Sequence, residues 1–181
     1  METFAEIKEL VLNPDFDEQR KKVLESIDYN EIDVPIIRLV KNILKLDYCF
    51  TLQSCYGHFL YDGQNNQYST NPLPILNEHI DIDYRIAYIA ICIKDNPEGK
   101  TFLNSLSKLV SFEPEYIQFG CAEWFWERQI NSFVLQVEPE RFKNKDKITI
   151  DYEEAILVEI ARNRFFTKLS DKIERLIYLR Y

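Results

Sequence analysis

Glycine and long apolar runs are scarce in this chain. It has only four glycines among 181 residues, so few of its turns use the left-handed backbone region that glycine favours. No apolar run approaches the roughly 20 residues that a membrane-spanning helix needs. The first nine residues also lack the basic start and apolar stretch of a signal peptide. We therefore expect a soluble, cytoplasmic protein with no membrane partner.

Cysteine is too sparse, and too widely spaced, to organise the fold. Four cysteines exclude a dense disulfide scaffold, and their spacing does not fit a zinc knuckle. We expect reduced thiols, as in cytosolic proteins. They are Cys49, Cys55, Cys92 and Cys121.

Basic residues are outnumbered by acidic ones, which give the chain a formal net charge of -8 at pH 7. Proteins that bind polyanions generally present a basic face, because their affinity comes from the release of counterions. Nucleic acid is therefore not an expected partner on bulk charge. Hydrophobic residues make up 46% of the chain, enough for a core, and aromatic residues make up 14%. That aromatic surplus suggests that some rings line a groove or an interface.

The front of the chain is predicted to be helical. Apolar residues recur at helical spacing over residues 2–12, and again behind Asp15 or Asp17. A third and broader apolar face follows Asp33, with Pro35 at a first-turn position that tolerates proline. Residues 1–47 are thus expected to form a helical layer.

The remaining chain alternates between strand and helix patterns. The sequence predicts a central strand over Tyr84–Ile93, an amphipathic helix over Thr101–Phe112, and a final helix from Asp151 to about Leu169 that pauses near Ser170. Further predicted strands are 48–54, Tyr116–Cys121 and Phe133–Val137. This order predicts one α+β domain over 1–181, with an antiparallel or mixed sheet of four to five strands covered by N-terminal, middle and C-terminal helices. Within it, residues 48–150 hold the sheet and one helix, and 151–181 hold the C-terminal helix.

The stretch Ser54–His58 is the first candidate for chemistry. Gly57 can form a sharp bend, and a hairpin there would bring Cys55 and His58 together. An imidazole beside a thiol favours the nucleophilic thiolate, so the pair could be catalytic, with Ser54 and Gly57 binding a ligand. The alternatives are half of a metal site, a serine–histidine–acid triad, and a buried cysteine beside a histidine that bonds to the backbone.

A zinc site would need two more ligands than this stretch supplies. Cys121 and His79 are the remaining residues of the best ligand types. Because neither forms a paired motif with the others, we assign no metal ligand from the sequence.

The second candidate is the aromatic run at residues 123–128. In an extended chain Trp124 and Trp126 would share one side, where they could stack on a flat ligand, and Arg128 could bind an anion. The alternative is an edge strand or hairpin whose tryptophans seal the sheet against the helices.

The stretch Ser54–His58 also resembles a known signature. It is similar to the Ser-x-Ser-Cys-x-Gly-Arg motif of the tRNA-modifying family that supplies the wybutosine-synthesis methyltransferase, with Leu52 in place of the first serine and His58 in place of the arginine. Phe112-Glu113-Pro114, followed by a strand that ends in Cys121, resembles a later Glu-Pro strand of that family. The resemblance implies an α+β protein that uses S-adenosylmethionine on a modified guanosine in tRNA.

Three functions stay open at this point. The first is a pocket for a small or nucleotide-like ligand, with or without catalysis, and no cofactor is assigned to it. The second is a protein-interaction or homo-oligomerisation module that uses the aromatic run as a strand. The third is the methyltransferase-like activity that the resemblance implies.

Overall fold

Two antiparallel sheets and five α-helices make up the described part of the chain. The computed structural model describes residues 4–64, 66–75, 80–142 and 145–179. The helices are α1 Phe16–Ser26, α2 Ile37–Ile43, α3 Pro97–Val110, α4 Glu123–Arg128 and α5 Tyr152–Tyr178. The strands are β1 Phe4–Ala5, β2 Cys49–Cys55, β3 His58–Leu60, β4 Asp81–Arg85, β5 Ala87–Ile93, β6 Ile117–Ala122, β7 Ser132–Val137 and β8 Lys147–Asp151. The α+β class is confirmed, with helices from the front, middle and end of the chain.

The larger sheet has five strands in the order β1-β6-β7-β5-β2, and the smaller sheet has three in the order β3-β4-β8. All neighbouring strands are antiparallel. Strand β5 lies between β7 and β2, and nearly every residue along it is buried. Such a strand, covered on both faces, reads as a continuous apolar run, which is why the sequence located it.

The predicted single strand over Tyr84–Ile93 is in fact two strands in different sheets. The chain leaves the smaller sheet after Arg85 and enters the larger one at Ala87. The burial pattern changes at the same point, from alternating in β4 to nearly continuous in β5. The amide of Ile86 donates to the carbonyl of Asp146 at 3.1 Å, and so fixes the crossing between the sheets.

The predicted N-terminal helix is wrong for the described residues from 4 onward. Strand β1 pairs with β6, and residues 6–12 have no regular secondary structure. The side chain of Asn131 forms two hydrogen bonds with the backbone of Val11. It accepts from the Val11 amide at 2.9 Å and donates to the Val11 carbonyl at 2.7 Å. These tertiary partners replace the bonds that a helix would make.

The C-terminal helix α5 forms within the predicted range 151–181, but it runs past Ser170 without the predicted pause. Asp151 caps its start, where the carboxylate accepts from the amide of Glu154 at 2.8 Å. A buried stripe that continues past Ser170 packs the helix against the core: Ala155, Val158, Ala161, Arg162, Phe165, Phe166, Leu169 and Ile173.

One hydrophobic cluster joins both sheets to α2, α3 and α5. On the opposite face of the larger sheet, Phe16 of α1 packs on Phe50, and Phe125 of α4 packs with Ala90 and Val134. None of the helices in the described ranges is both long enough and apolar enough to cross a bilayer.

Candidate functional site

The bend at Gly57 carries the chain from the larger sheet to the smaller one. Gly57 has a φ of +89°, and a Cβ atom at this position would lie 2.8 Å from Tyr84 Oη and 2.9 Å from Ala87 Cβ. The predicted sharp bend is confirmed, but the predicted hairpin is wrong. Strand β2 before the bend pairs with β5, whereas β3 after it pairs with β4.

A buried arginine holds this bend in place. Arg162 of α5 is 1% exposed, and its Nη1 donates to the carbonyl of Gly57 at 3.1 Å. The guanidinium lies over the rings of Tyr56, at 4.2 Å, and Phe59, at 5.0 Å, and Nη2 contacts Glu159 at 3.2 Å. Nothing in the sequence singled out Arg162, because a charged residue on a helix is usually solvated.

His58 is buried, and both of its ring nitrogens face acceptors. Nε2 lies 3.4 Å from Oδ2 of Asp33, and Nδ1 lies 3.2 Å from the carbonyl oxygen of Ser69. Both nitrogens can donate to these oxygens only when each carries hydrogen, so the contacts favour the imidazolium form of the ring. The hydrogen bond to Asp33, and then that to Cys55, raise the pKa of His58 to about 10 against the opposing effect of burial.

Asp33 is the acid that the sequence left unassigned. Its Oδ2 also accepts from the amide of Tyr56 at 2.7 Å. Burial alone would raise the pKa of Asp33, but the hydrogen bonds from His58 and Tyr56 lower it overall. The carboxylate lies 22 positions before Cys55 in the chain, so no local motif links the two.

Cys55 completes a cluster of three with Asp33 and His58. The amide of Gly57 donates to its Sγ at 3.4 Å, and one ligand atom from each of the three residues lies within 4.8 Å of the other two. The expected convergence of thiol and imidazole is therefore present. A histidine that carries hydrogen on both nitrogens has no lone pair with which to accept a proton, so in that form it cannot act as the general base of a serine–histidine pair.

The cluster opens into a cavity of about 800 Å³. Strand pairing brings Tyr88 opposite Cys55, and the Tyr88 hydroxyl donates to Gln53 Oε1 at 3.3 Å. Helix α4 supplies Trp124 and Phe125, so part of the cavity lining is aromatic. The other lining residues are Glu31, Gln53, Ser54, Tyr68, Arg85, Ile86, Ala122, Val134, Gln136 and Asp146.

The run at residues 123–128 is a helix, so its prediction as a strand is wrong. Phe125 is buried against the larger sheet, and helical geometry sends the two tryptophans in different directions. Trp124 lines the cavity, with the guanidinium of Arg128 stacked 3.5 Å from its ring centroid. Trp126 instead packs edge-on against Phe133 at 5.7 Å.

The predicted site residues therefore separate into two groups. The structure places Ser54, Cys55, His58 and Trp124 around one cavity, and Gly57 forms the bend beside it. Trp126 and Arg128 are absent from the lining of that cavity. Of the two spare ligand types, Cys121 is buried in β6, where it accepts from the amide of Lys8, and His79 lies outside the described residues.

A buried acid lies behind one wall of the cavity. Glu138 is fully buried and accepts a hydrogen bond from Gln136, which lines the cavity. Burial, opposed in part by that hydrogen bond, raises the pKa of Glu138 to about 8, and the charge of Asp146 adds to the rise.

Comparisons with known proteins give a fold and one partial match. No family model matches the chain. The regulatory protein RecX of Bacillus pumilus (strain SAFR-032) is 26% identical over 92 residues, which is 51% of this chain. The chain spans about a third of that protein, since the match covers 35% of its length.

Among solved structures, the PH1069 protein from Pyrococcus horikoshii matches with a TM-score of 0.50 at 17% identity, over 91% of this chain and 95% of that one. A second structure of PH1069, from Pyrococcus horikoshii OT3, has a TM-score of 0.46 at 17% identity, over 91% of this chain and 92% of that one. At this identity the first of these two matches shows a shared fold alone.

Proposed function

We propose that the protein binds a small molecule with a flat ring in the cavity between Cys55 and α4. The observation that carries this proposal is the single cavity shared by the Ser54–His58 bend and Trp124, two stretches about 70 residues apart in the chain. Its volume of about 800 Å³ is within the roughly 300–1,000 Å³ usual for ligand sites.

The aromatic wall supports a ring as the bound group. Trp124, Phe125 and Tyr88 all line the cavity, and the Trp124 side chain is 38% exposed. Its indole is already oriented, because Phe125 packs edge-on against it at 4.8 Å and Arg128 stacks on it. A preorganised aromatic surface binds a planar ligand with little loss of side-chain entropy.

The polar end supports recognition of a hydrogen-bonding group on the same ligand. Ser54, Gln53 and Gln136 offer donors and acceptors, and the Cys55 thiol is half-buried at the edge of the cavity. The proposal concerns binding and does not depend on a particular reaction.

Thermal denaturation in the presence of adenosine, guanosine or S-adenosylmethionine tests this function. A ligand at 100 times its Kd stabilises the folded state by about 2.7 kcal/mol, which raises Tm measurably. We expect at least one of the three to raise Tm in the wild type and in Trp126→Phe, but not in Trp124→Ala. No shift with any probe at millimolar concentration would remove the nucleotide-like class, and an undiminished shift in Trp124→Ala would place binding elsewhere. S-adenosylmethionine also tests the methyltransferase-like resemblance.

A protein-interaction role is the second candidate, and the match to a protein named as regulatory favours it. The aromatic run is a helix rather than a strand, so an interaction through strand pairing at that point is not proposed. Light scattering across a range of concentrations tests self-association. A constant monomer mass would count against a homo-oligomeric role.

A further inference from the structure

The three groups that meet at the Gly57 bend have the chemistry of a metal centre. We propose that Asp33, Cys55 and His58 bind one divalent transition metal ion of the zinc class, with a fourth coordination position open to the cavity. Only the occupant of the fourth position rests on the proposed ligand-binding function. The three protein ligands stand on their own geometry.

The donor set fits zinc. Thiolate sulfur, imidazole nitrogen and carboxylate oxygen are the three side-chain donors that Zn²⁺ takes in proteins. Three protein ligands with a fourth position left for water or substrate are the pattern of catalytic rather than structural zinc sites. Within the described ranges, Asp33, Cys55 and His58 are the one group of three such residues close enough to share an ion.

The separations also fit. With zinc bonds of about 2.0–2.3 Å and tetrahedral angles, two donor atoms lie roughly 3.3–3.6 Å apart. Asp33 Oδ2 and His58 Nε2 are 3.4 Å apart, and the ligand atoms of all three residues lie within 4.8 Å of one another. The oxygen and nitrogen are therefore already at the spacing of zinc ligands, and the sulfur lies no more than 4.8 Å from either.

Each ligand is oriented by a backbone group, as the ligands of metal sites usually are. His58 Nδ1 donates to the carbonyl of Ser69, and this hydrogen bond directs Nε2 toward Asp33. Once the ion replaces the hydrogen on Nε2, that nitrogen has a lone pair with which to coordinate the metal. The amides of Tyr56 and Gly57, consecutive residues at the bend, hold Asp33 Oδ2 and Cys55 Sγ. The turn at Tyr56–Gly57 thus orients Asp33 and Cys55, and the third ligand, His58, is the next residue in the chain.

The position of the three ligands and their charge also favour a metal ion. All three ligand residues line the 800 Å³ cavity, so an ion among them is reachable from solvent and from a bound molecule. A carboxylate and a thiolate together offset the two positive charges of the ion. A ligand in the cavity that carries an oxygen or nitrogen donor could therefore complete the coordination.

Cobalt(II) titration of the chelator-treated protein, followed by absorption spectroscopy, tests the proposal. We expect one equivalent of Co²⁺ to produce the intense visible bands of tetrahedral cobalt together with a sulfur-to-cobalt charge-transfer band, and Zn²⁺ to abolish both. Cys55→Ser should lose the charge-transfer band, and Asp33→Asn should weaken Co²⁺ binding at least about 10–100-fold, the range found for weaker second-shell changes. Cys121→Ser is the matched control and should keep the wild-type spectrum.

A second measurement needs only the wild type, in case a variant does not fold. Zn²⁺ should slow alkylation of Cys55 by N-ethylmaleimide, because a metal-bound sulfur is not free to react. Absence of the cobalt bands, their persistence in folded Cys55→Ser, or alkylation that is indifferent to Zn²⁺ would each overturn the metal site. A nucleoside-induced Tm shift that survives chelator would leave the binding function intact, so the two proposals fail separately.

Discussion

At the scale of single residues, Gly57 determines where the chain changes sheets. Its positive φ costs a residue with a side chain about 1–3 kcal/mol, and the contacts with Tyr84 and Ala87 leave no space for a Cβ atom. The sequence pointed to this glycine because glycine is so scarce. It could not point to Arg162 or Asp33, whose roles depend on contacts across more than 20 residues of chain.

Gly57→Ala should therefore destabilise the fold more than the same change at a glycine with free space. Gly63→Ala is the matched control, because Gly63 has a similar φ of +91° but nothing within 4 Å of an added Cβ atom. We expect the loss at Gly57 to exceed that at Gly63 by about 1–3 kcal/mol, the usual cost of overpacking, as measured by urea unfolding. Equal losses would mean that the close approach is not a constraint in solution.

Glu138 makes stability depend on pH. Its pKa rises from an ordinary 4.5 to about 8 in the folded state because of burial. Below pH 4.5 the carboxyl is protonated in both states; between 4.5 and 8 only the unfolded state releases the proton, so stability falls as pH rises. One of its oxygens, Oε2, has no hydrogen-bond partner among the described residues, which adds to the cost of charging it.

Urea unfolding of Glu138→Gln from pH 5 to 8.5 tests this effect. Relative to the wild type, the variant should gain up to a few kcal/mol across that range, since each unit of pKa shift is worth about 1.4 kcal/mol. Glu140→Gln, at an exposed position, is the control and should track the wild type. A parallel pH profile for Glu138→Gln would show that the buried carboxyl is not the titrating group.

At the scale of elements, the strongest sequence patterns located their helices and strands, and weaker ones were overridden by tertiary contacts. The continuous apolar run of β5, the broad apolar face of α2 and the amphipathic pattern of α3 were visible in the sequence. The helix at 123–128 was not, because the alternation of its two tryptophans is also the pattern of a strand. The N-terminal segment does not form its predicted helix, because its backbone pairs with β6 and forms hydrogen bonds with the side chain of Asn131.

Ile89 tests the role of β5. It is fully buried between β7 and β2, so Ile89→Ala should cost about 2–5 kcal/mol, as core truncations do. Ile75→Ala makes the same change at a side chain that is 99% exposed and should cost less than about 0.5 kcal/mol. Comparable losses at the two positions would contradict the burial of β5.

At the scale of the whole molecule, the cavity follows from how two sheets and α4 meet. The register that sets Tyr88 opposite Cys55 and the crossing at Gly57 both depend on long-range pairing. No local pattern specifies such pairing, because the alternation of apolar and polar residues in a strand does not identify the strand with which it pairs. The sequence predicted that Cys55 and His58 converge and that Trp124, Trp126 and Arg128 bind a ligand. The structure places only Trp124 of these last three around the cavity that Cys55 and His58 line.

The relative reactivity of the four thiols tests this arrangement most directly. In the folded, chelator-treated protein, N-ethylmaleimide labelling would be followed by peptide mass spectrometry. We predict that Cys55 is labelled first, because it is half-buried at an open cavity, while Cys49, Cys92 and Cys121 are buried and react only when the protein opens. Equal and uniformly slow labelling of all four thiols would contradict an accessible site at the bend.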